Sequence, residues 1–190
     1  MKLTDLYEVT AKNMLKFRRI DSHQDHFFDL INELYNTAFP LHEQRSNQGR
    51  LSILGVDNYY LYALIDVDVF IGFIGAWKFE DFFYIEHIAI SSSLRGQGYG
   101  KRVLDAFCTK HCKVVLEIDP VVDEISSKRL RFYQQCGFVT YEILHHHPSY
   151  HPDREPHELV ILSYPEQLSE LSYQAFKDCL IHQVMKPAYL

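Results

Sequence analysis

The sequence predicts a mixed α/β domain in which a mostly antiparallel sheet is flanked by helices. Three features predict it. Two apolar runs, Tyr59–Ile65 and Val69–Phe79, flank the short polar stretch Asp66-Val67-Asp68, the pattern of a β-hairpin. A third run, Phe82–Ile90, is followed by a glycine-rich turn, a helical stripe and the short apolar run Lys113–Asp119, so a helix crosses between two strands that must be locally parallel. Two more apolar runs, Phe138–Leu144 and Glu158–Tyr164, then supply the last strands.

The remaining elements follow in chain order. Met14–Ile20 reads as a first strand. Asp21-Ser22 is the expected cap of a helix over His23–Ala38, which carries Phe27, Leu30, Ile31, Leu34 and Tyr35 on one face and stops at Phe39-Pro40. Glu43–Leu51 predicts a weaker helix, and Gly55–Asn58 a turn before the hairpin. Past the glycines, Lys101–His111 places Val103, Leu104, Phe107 and Cys108 against a sheet. Lys113–Asp119 is ended by Pro120, and a helix from Glu124 to Cys136 closes at Gly137. The tail Glu166–Val184 repeats Leu168, Leu171, Ala175, Phe176, Cys179, Leu180 and Val184 at helical spacing, a stripe to be covered by the rest of the domain or by a second copy.

Composition narrows the function classes. Residues 1–190 are one domain's worth, with 165–190 expected as a C-terminal helical extension. A net charge of −6 lacks the basic footprint of a nucleic-acid binder and suits a cationic small molecule better. Met1–Asp5 carries an acid and no apolar leader, and no stretch reaches the ~18 apolar residues of a membrane span, so a cytoplasmic protein without membrane contact is expected. Cys108, Cys112, Cys136 and Cys179 form no C-x-x-C pair and are expected as reduced thiols. The run His145–His151 reads as extended chain, on which adjacent histidines point to opposite faces, and no acid partner is visible, so no metal site is expected.

Arg95-Gly96-Gln97-Gly98-Tyr99-Gly100 is the segment that specifies a chemistry. A strand that turns through alternate glycines into a helix presents unpaired N–H groups and the positive helix end to an anion, and Arg95 adds a planar fork of donors. The spacing lacks the glycine interval of the dinucleotide fingerprint, and no Gly-Lys-Ser/Thr follows. It resembles instead the R-x-x-G-x-G/A signature of the GNAT acetyltransferases. About thirty residues on, Phe132-Tyr133-Gln134-Gln135-Cys136-Gly137-Phe138 resembles the F-Y-x-x-x-G-F helix end of the same superfamily. The likeness spans residues 14–164 and is strongest over 82–138.

What the resemblance implies is a GNAT-like fold and acetyl transfer from acetyl-CoA, as co-substrate, to a primary amine. The donor's arm would pair with the main chain of Ile88, Ala89 and Ile90, with the Ile88 N–H as oxyanion donor. Its pyrophosphate would sit on Arg95, Gly96, Gln97, Gly98, Tyr99, Gly100 and Lys101. Tyr133 would protonate the leaving thiolate. Glu86, two residues before Ile88 and hence expected on its face with His87 pointing away, would act as base. Seven and four residues before Tyr133 the family often carries Asn and Ala. Here Ser126 would donate a single hydrogen bond to the cofactor arm, and Arg129 would reach a phosphate or lie solvated. The connection between the last two strands would border the acceptor pocket, so the histidines and tyrosines of 145–157 would shape its mouth. The acceptor expected is a small amine, with the protein monomeric or homodimeric. Two other readings stay open on the same residues: a CoA-binding module without turnover, and an acetyltransferase acting on protein N-termini.

Overall fold

Apolar side chains on the central strands determine the architecture, because these strands bury both faces under helices while the two edge strands, Lys16–Ile20 and Val139–His147, remain largely exposed. The computed structural model describes residues 15–186; Met14, the Met1–Asp5 segment and the last four residues lie outside them. The strands are β1 (Lys16–Ile20), β2 (Tyr59–Asp66), β3 (Val69–Lys78), β4 (Phe83–Ile90), β5 (Val114–Ile118), β6 (Val139–His147) and β7 (His157–Tyr164). They form one sheet in the order β1-β2-β3-β4-β5-β7-β6. Only β4 and β5 run parallel, joined by the predicted helical crossover.

The hairpin turn is a two-residue loop, with Asp66 paired to Val69 and both Val67 (φ 47°) and Asp68 (φ 62°) in the left-handed region, as a twist-matched hairpin requires.

Helices cover both sides. On one face lie α1 (His26–Ala38), α2 (Asn47–Ile53) and α5 (Glu170–Cys179), whose Phe28, Ile31, Tyr35, Ile53, Tyr173 and Phe176 pack with Phe73, Trp77 and Tyr84. On the other lie α3 (Tyr99–His111) and α4 (Glu124–Gln135), where Val103, Leu104, Phe107 and Cys108 join Ile71, Ile74, Ile85 and Leu116. No helix among the described residues is long and apolar enough to cross a membrane.

Several boundaries differ from expectation, each for a local reason. The cap of α1 is Asp25, whose carboxylate accepts from Phe27 N at 3.0 Å, while Ser22 closes a turn by accepting from Gln24 N. The second helix starts at Asn47 rather than Glu43 because Ser46 caps it by accepting from Gly49 N. Strand β6 runs on to His147, three residues past the predicted end. The tail helix begins only at Glu170, capped by Ser169, and widens into a π-turn over Leu180–Val184. Its own domain covers part of the stripe: Phe176 packs edge-on to Tyr84, and Leu180 and Val184 are buried, whereas Leu171 and Ala175 face outward. All four cysteines are free thiols.

Candidate active site

The site originates in a register shift. Between β3 and β4, Gly75 faces His87 while Ala76 faces Ile85, so Glu86 is an extra residue on β4. Such a bulge sharpens the local twist and breaks the two-residue alternation of side chains. Just beyond it β4 parts from β5. Their ladder has three pairs, Phe83–Val114, Tyr84–Val115 and Ile85–Leu116, and ends there. A cleft of about 540 Å³ opens between the strands, walled by Glu86–Ile90 on β4 and by Glu117, Ile118 and Asp119 on the β5 side.

The bulge corrects the expected facing of the β4 side chains. Glu86 and His87 both turn to the α1/α2/α5 side, Glu86 against Trp77 and His87 edge-on to Tyr35 and Phe39, whereas Ile88 packs with the opposite core. Glu86 therefore does not share the face of Ile88, and His87 lines the cleft with it.

At one end of the cleft Arg95 lines the wall, and the chain enters α3 through Gly96 (φ 77°) and Gly98 (φ 80°). Gly98 is the helix cap and has no side chain to bond the first turn, whose first internal bond is Arg102 N to Gly98 O. The N–H groups of Tyr99, Gly100 and Lys101 are thus left for an anion, at the positive helix end. Two side chains of this segment are engaged elsewhere: Gln97 donates to Ser93 O at 3.1 Å, and the Lys101 ammonium pairs with Asp105 at 2.8 Å.

Tyr133 lines the cleft from α4, its ring set against Phe132 and Phe138. Burial pushes its phenol up to about 12, so it stays protonated as a donor must. Arg129, one turn earlier, also lines the cleft and pairs with Asp119 across its mouth. Ser126 departs from expectation. Its hydroxyl is committed to the start of α4, bonding the Asp123 carboxylate at 2.7 Å and accepting from Val122 N and Asp123 N, so it has no donor left for a cofactor.

Two buried carboxylates flank the far end. Glu86, fully buried, accepts from Arg45 Nε (2.7 Å) and Tyr150 OH (2.8 Å) on one oxygen and from Trp77 Nε1 (2.7 Å) on the other. Burial alone would raise its pKa, but the Arg45 guanidinium and the donors hold it below the usual carboxylate range. Both of its oxygens are occupied and its basicity is reduced, which works against the expected role of base. Arg45 also donates to Val184 O at 2.7 Å, which ties the tail to the site.

Glu117 on β5 mirrors this arrangement. It accepts from Tyr84 OH and pairs with His145 Nε2, both at 2.5 Å, while His145 Nδ1 contacts Tyr173 OH at 3.1 Å. Again burial raises the carboxyl and the partners, led by His147 and His145, more than reverse it. Glu43, from the turn before α2, lines the cleft opposite Asp119. Its carboxyl is pushed up to about 7 by burial and then by the Asp119 charge, with Arg129 opposing.

His147, His157 and Tyr150 line the cleft, as expected of the last connection; His151 instead bonds Leu41 O, and His146 faces solvent. Arg45, Trp77, Glu117 and Tyr84 were not anticipated. The His-x-His spacing of 145 and 147, which puts two rings on one face of a strand, was the available signal for the Glu117 cluster. No metal-binding group of three or more His, Cys, Asp or Glu occurs among the described residues.

Comparison with known proteins agrees with this geometry. The family described as Acetyltransferase (GNAT) domain matches residues 57–140. The YjbC protein of Bacillus subtilis, provisionally named an acetyltransferase, is 35% identical over 63 residues; the match takes in 32% of this chain and only 33% of that relative's length. A solved structure from Bacteroides thetaiotaomicron, provisionally assigned to the GNAT family, superposes with a TM-score of 0.85 at 28% identity, covering 90% of this chain and 98% of that one. A Bacillus subtilis acetyltransferase solved with CoA has the same fold at 18% identity, with a TM-score of 0.53 over 78% of this chain and 97% of its own. A bulged fourth strand parting from the fifth, a glycine-capped helix beyond it and these likenesses lead to one assignment: residues 57–140 carry a GNAT acetyltransferase domain, within a chain of the same fold as the Bacteroides thetaiotaomicron structure.

Proposed function

We propose that the protein moves the acetyl group of acetyl-CoA to the primary amine of a small cationic acceptor, by direct attack in a ternary complex. The observation that carries the reading is the parting of β4 from β5. It leaves the β4 edge at Ile88, Ala89 and Ile90 free to pair with an extended amide arm as an added strand would, and it runs from the Arg95–Lys101 turn past Tyr133. The CoA carried by the Bacillus subtilis neighbour supports the choice of donor.

Each chemical demand has a group in reach. The diphosphate of the donor takes the open N–H groups of α3 and the Arg95 fork. In this reading the Ile88 N–H binds the oxyanion and Tyr133 protonates the departing sulfur, supported by both residues lining the cleft. An alkylamine is about 99.9% protonated at pH 7, so freeing its lone pair costs roughly 5 kcal/mol and calls for a proton acceptor. The cleft is lined by Glu43 and Glu117, together with Glu86 and Asp119, whose charges are shared with Arg45 and Arg129, and this acidic lining supports a cationic acceptor. Such attraction is screened over about 8 Å at physiological salt, so acids lining the cleft matter more than the net charge.

The test is thiol release from acetyl-CoA by the purified protein with polyamines, aminoglycosides, amino acids and basic peptides, at low and moderate salt. Preferred turnover of small cationic amines is expected. Acceptors that are all neutral or anionic would remove the cationic reading, and an absence of thiol release with every amine would remove acetyl transfer itself.

A further inference from the structure

Three buried side-chain polar atoms among the described residues have no hydrogen-bond partner: Arg45 Nη1, Arg50 Nε and His147 Nε2. Only the last can accept a proton, and only His147 of the three residues lines the cleft between β4 and β5. Its ring is 2% exposed. Nδ1 lies 2.6 Å from Pro148 O, and a carbonyl can only accept, so Nδ1 carries the hydrogen and the neutral ring holds its lone pair on Nε2. That lone pair is 3.9 Å from Glu117 Oε2. Glu117 Oε2 already accepts from Tyr84 OH, so Nε2 is the atom left without a partner, in a place where buried polar groups are nearly always paired.

The missing element is a proton. Resting on the acetyl-transfer reading above, we infer that His147 is the proton acceptor that makes the substrate amine nucleophilic, with Glu117 stabilising the imidazolium. The ammonium N–H bond breaks, its electron pair stays on nitrogen, and the proton passes to Nε2 directly or across one water. The free amine attacks the thioester carbonyl. On collapse the C–S bond breaks, the sulfur takes the Tyr133 proton, and Tyr133 regains one from the nitrogen, leaving the amide, the free thiol and one proton on His147 for solvent.

The charged and titratable groups around the ring fit the role from every side. Glu117 stands on β5, His145 beside it on β6, His157 on β7 at 5.4 Å between ring centroids, and Tyr150 on the connecting loop at 5.1 Å. Beyond Tyr150 lie His87, Glu86 and Arg45. The ordinary proton partner of Glu117 is His145, already bonded at 2.5 Å, so the positive charge placed on His147 meets an ionised and oriented carboxylate.

The test uses His147→Asn, whose amide nitrogen stands where Nδ1 does and keeps the bond to Pro148 O while removing Nε2. The probes are 1,4-diaminobutane, a pair of ammonium groups at neutral pH, and 4-methoxyaniline, which has no proton to lose first. Turnover of the diamine should fall 10²-fold or more, with its logarithm rising linearly with pH, while turnover of the aniline stays within about threefold. In the unaltered protein, long-range proton–nitrogen spectra should show a protonated Nδ1 and a bare Nε2 whose shift moves on adding the diamine. This second measurement stands if the variant does not fold. A folded variant with wild-type rates on the diamine, an equal loss with both amines, or the opposite tautomer overturns the assignment alone. An unaltered protein that acetylates neither these two amines nor any acceptor of the panel above overturns it together with the acetyl-transfer reading.

Discussion

Replacing Arg45 by Met tests the buried ion pair that anchors the far end of the cleft. The Arg45 and Glu86 side chains are 1% and 0% exposed and 2.7 Å apart, so the substitution leaves a carboxylate with no cation in a dry site. Removing one partner of such a pair costs about 3–5 kcal/mol. For a chain of this length that corresponds to a melting point lower by about 6–20 °C. The pH dependence separates this mechanism from a simple packing defect. In the wild type the pKa of Glu86 is depressed, so its contribution is fully present above the unfolded value near 4.3 and is lost only as pH falls through the lower folded value. In the variant the same carboxyl is buried without its cation, its folded pKa rises, and the penalty shrinks as pH drops toward about 4.3. Urea unfolding of wild type and variant at pH 7.5 and 5, with Arg45→Met/Glu86→Gln as the double variant, reads both effects. The difference should narrow at pH 5, and the double variant should recover much of the loss. A cost below about 1 kcal/mol at pH 7.5, or the same cost at both pH values without recovery, would refute the reasoning.

Three more expectations can be checked on the same protein. CoA at a hundred times its Kd should add about 2.7 kcal/mol to the stability in thermal melts, and Gly98→Glu should abolish this gain, since residue 98 sits at φ 80° and the new charge would oppose the diphosphate. Tyr133→Phe should lower kcat by 10²–10⁴-fold with CoA binding intact by calorimetry; equal rates across the pH range would reduce Tyr133 to a packing residue. Glu43, raised to about 7, favours the folded state fully below the unfolded value near 4.3 and loses that advantage as pH climbs through 7. Unfolding free energies from denaturant titrations at pH 5 and 8 should differ by about 1–2 kcal/mol from this group, and Glu43→Gln should remove that share.

The strands and the crossover were legible because they depend on local alternation and on turn chemistry. Tyr59–Ile65, the Asp66–Asp68 turn and the glycine entry to α3 carry their own instructions. The errors arose where two local signals competed. Asp21, Ser22 and Asp25 are all good cap residues, and only the tertiary fit of α1 selects Asp25. The bulge at Glu86 has no local marker at all. It is a register choice between two strands, and one residue of slip was enough to move Glu86 off the face of Ile88 and bring His87 into the cleft. Ser126 was misassigned for a related reason: a hydroxyl at the third position of a helix has a competing backbone partner, and the capping box with Asp123 took it. The pairing of Arg45 with Glu86, 41 residues apart, could not be read from spacing.

The three-pair ladder between β4 and β5 gives the two ends of the cleft unequal freedom to change. Along the β4 edge and at the α3 cap the contacts offered are main-chain groups, which survive most substitutions as long as the bulge and the glycines persist. The opposite end is assembled from side chains on separate connections, Glu43 before α2 and Tyr150 and His157 around the last hairpin. On the acetyl-transfer reading proposed above, a library randomised at those three positions would reshape the acceptor end while leaving the main-chain groups of the donor end in place.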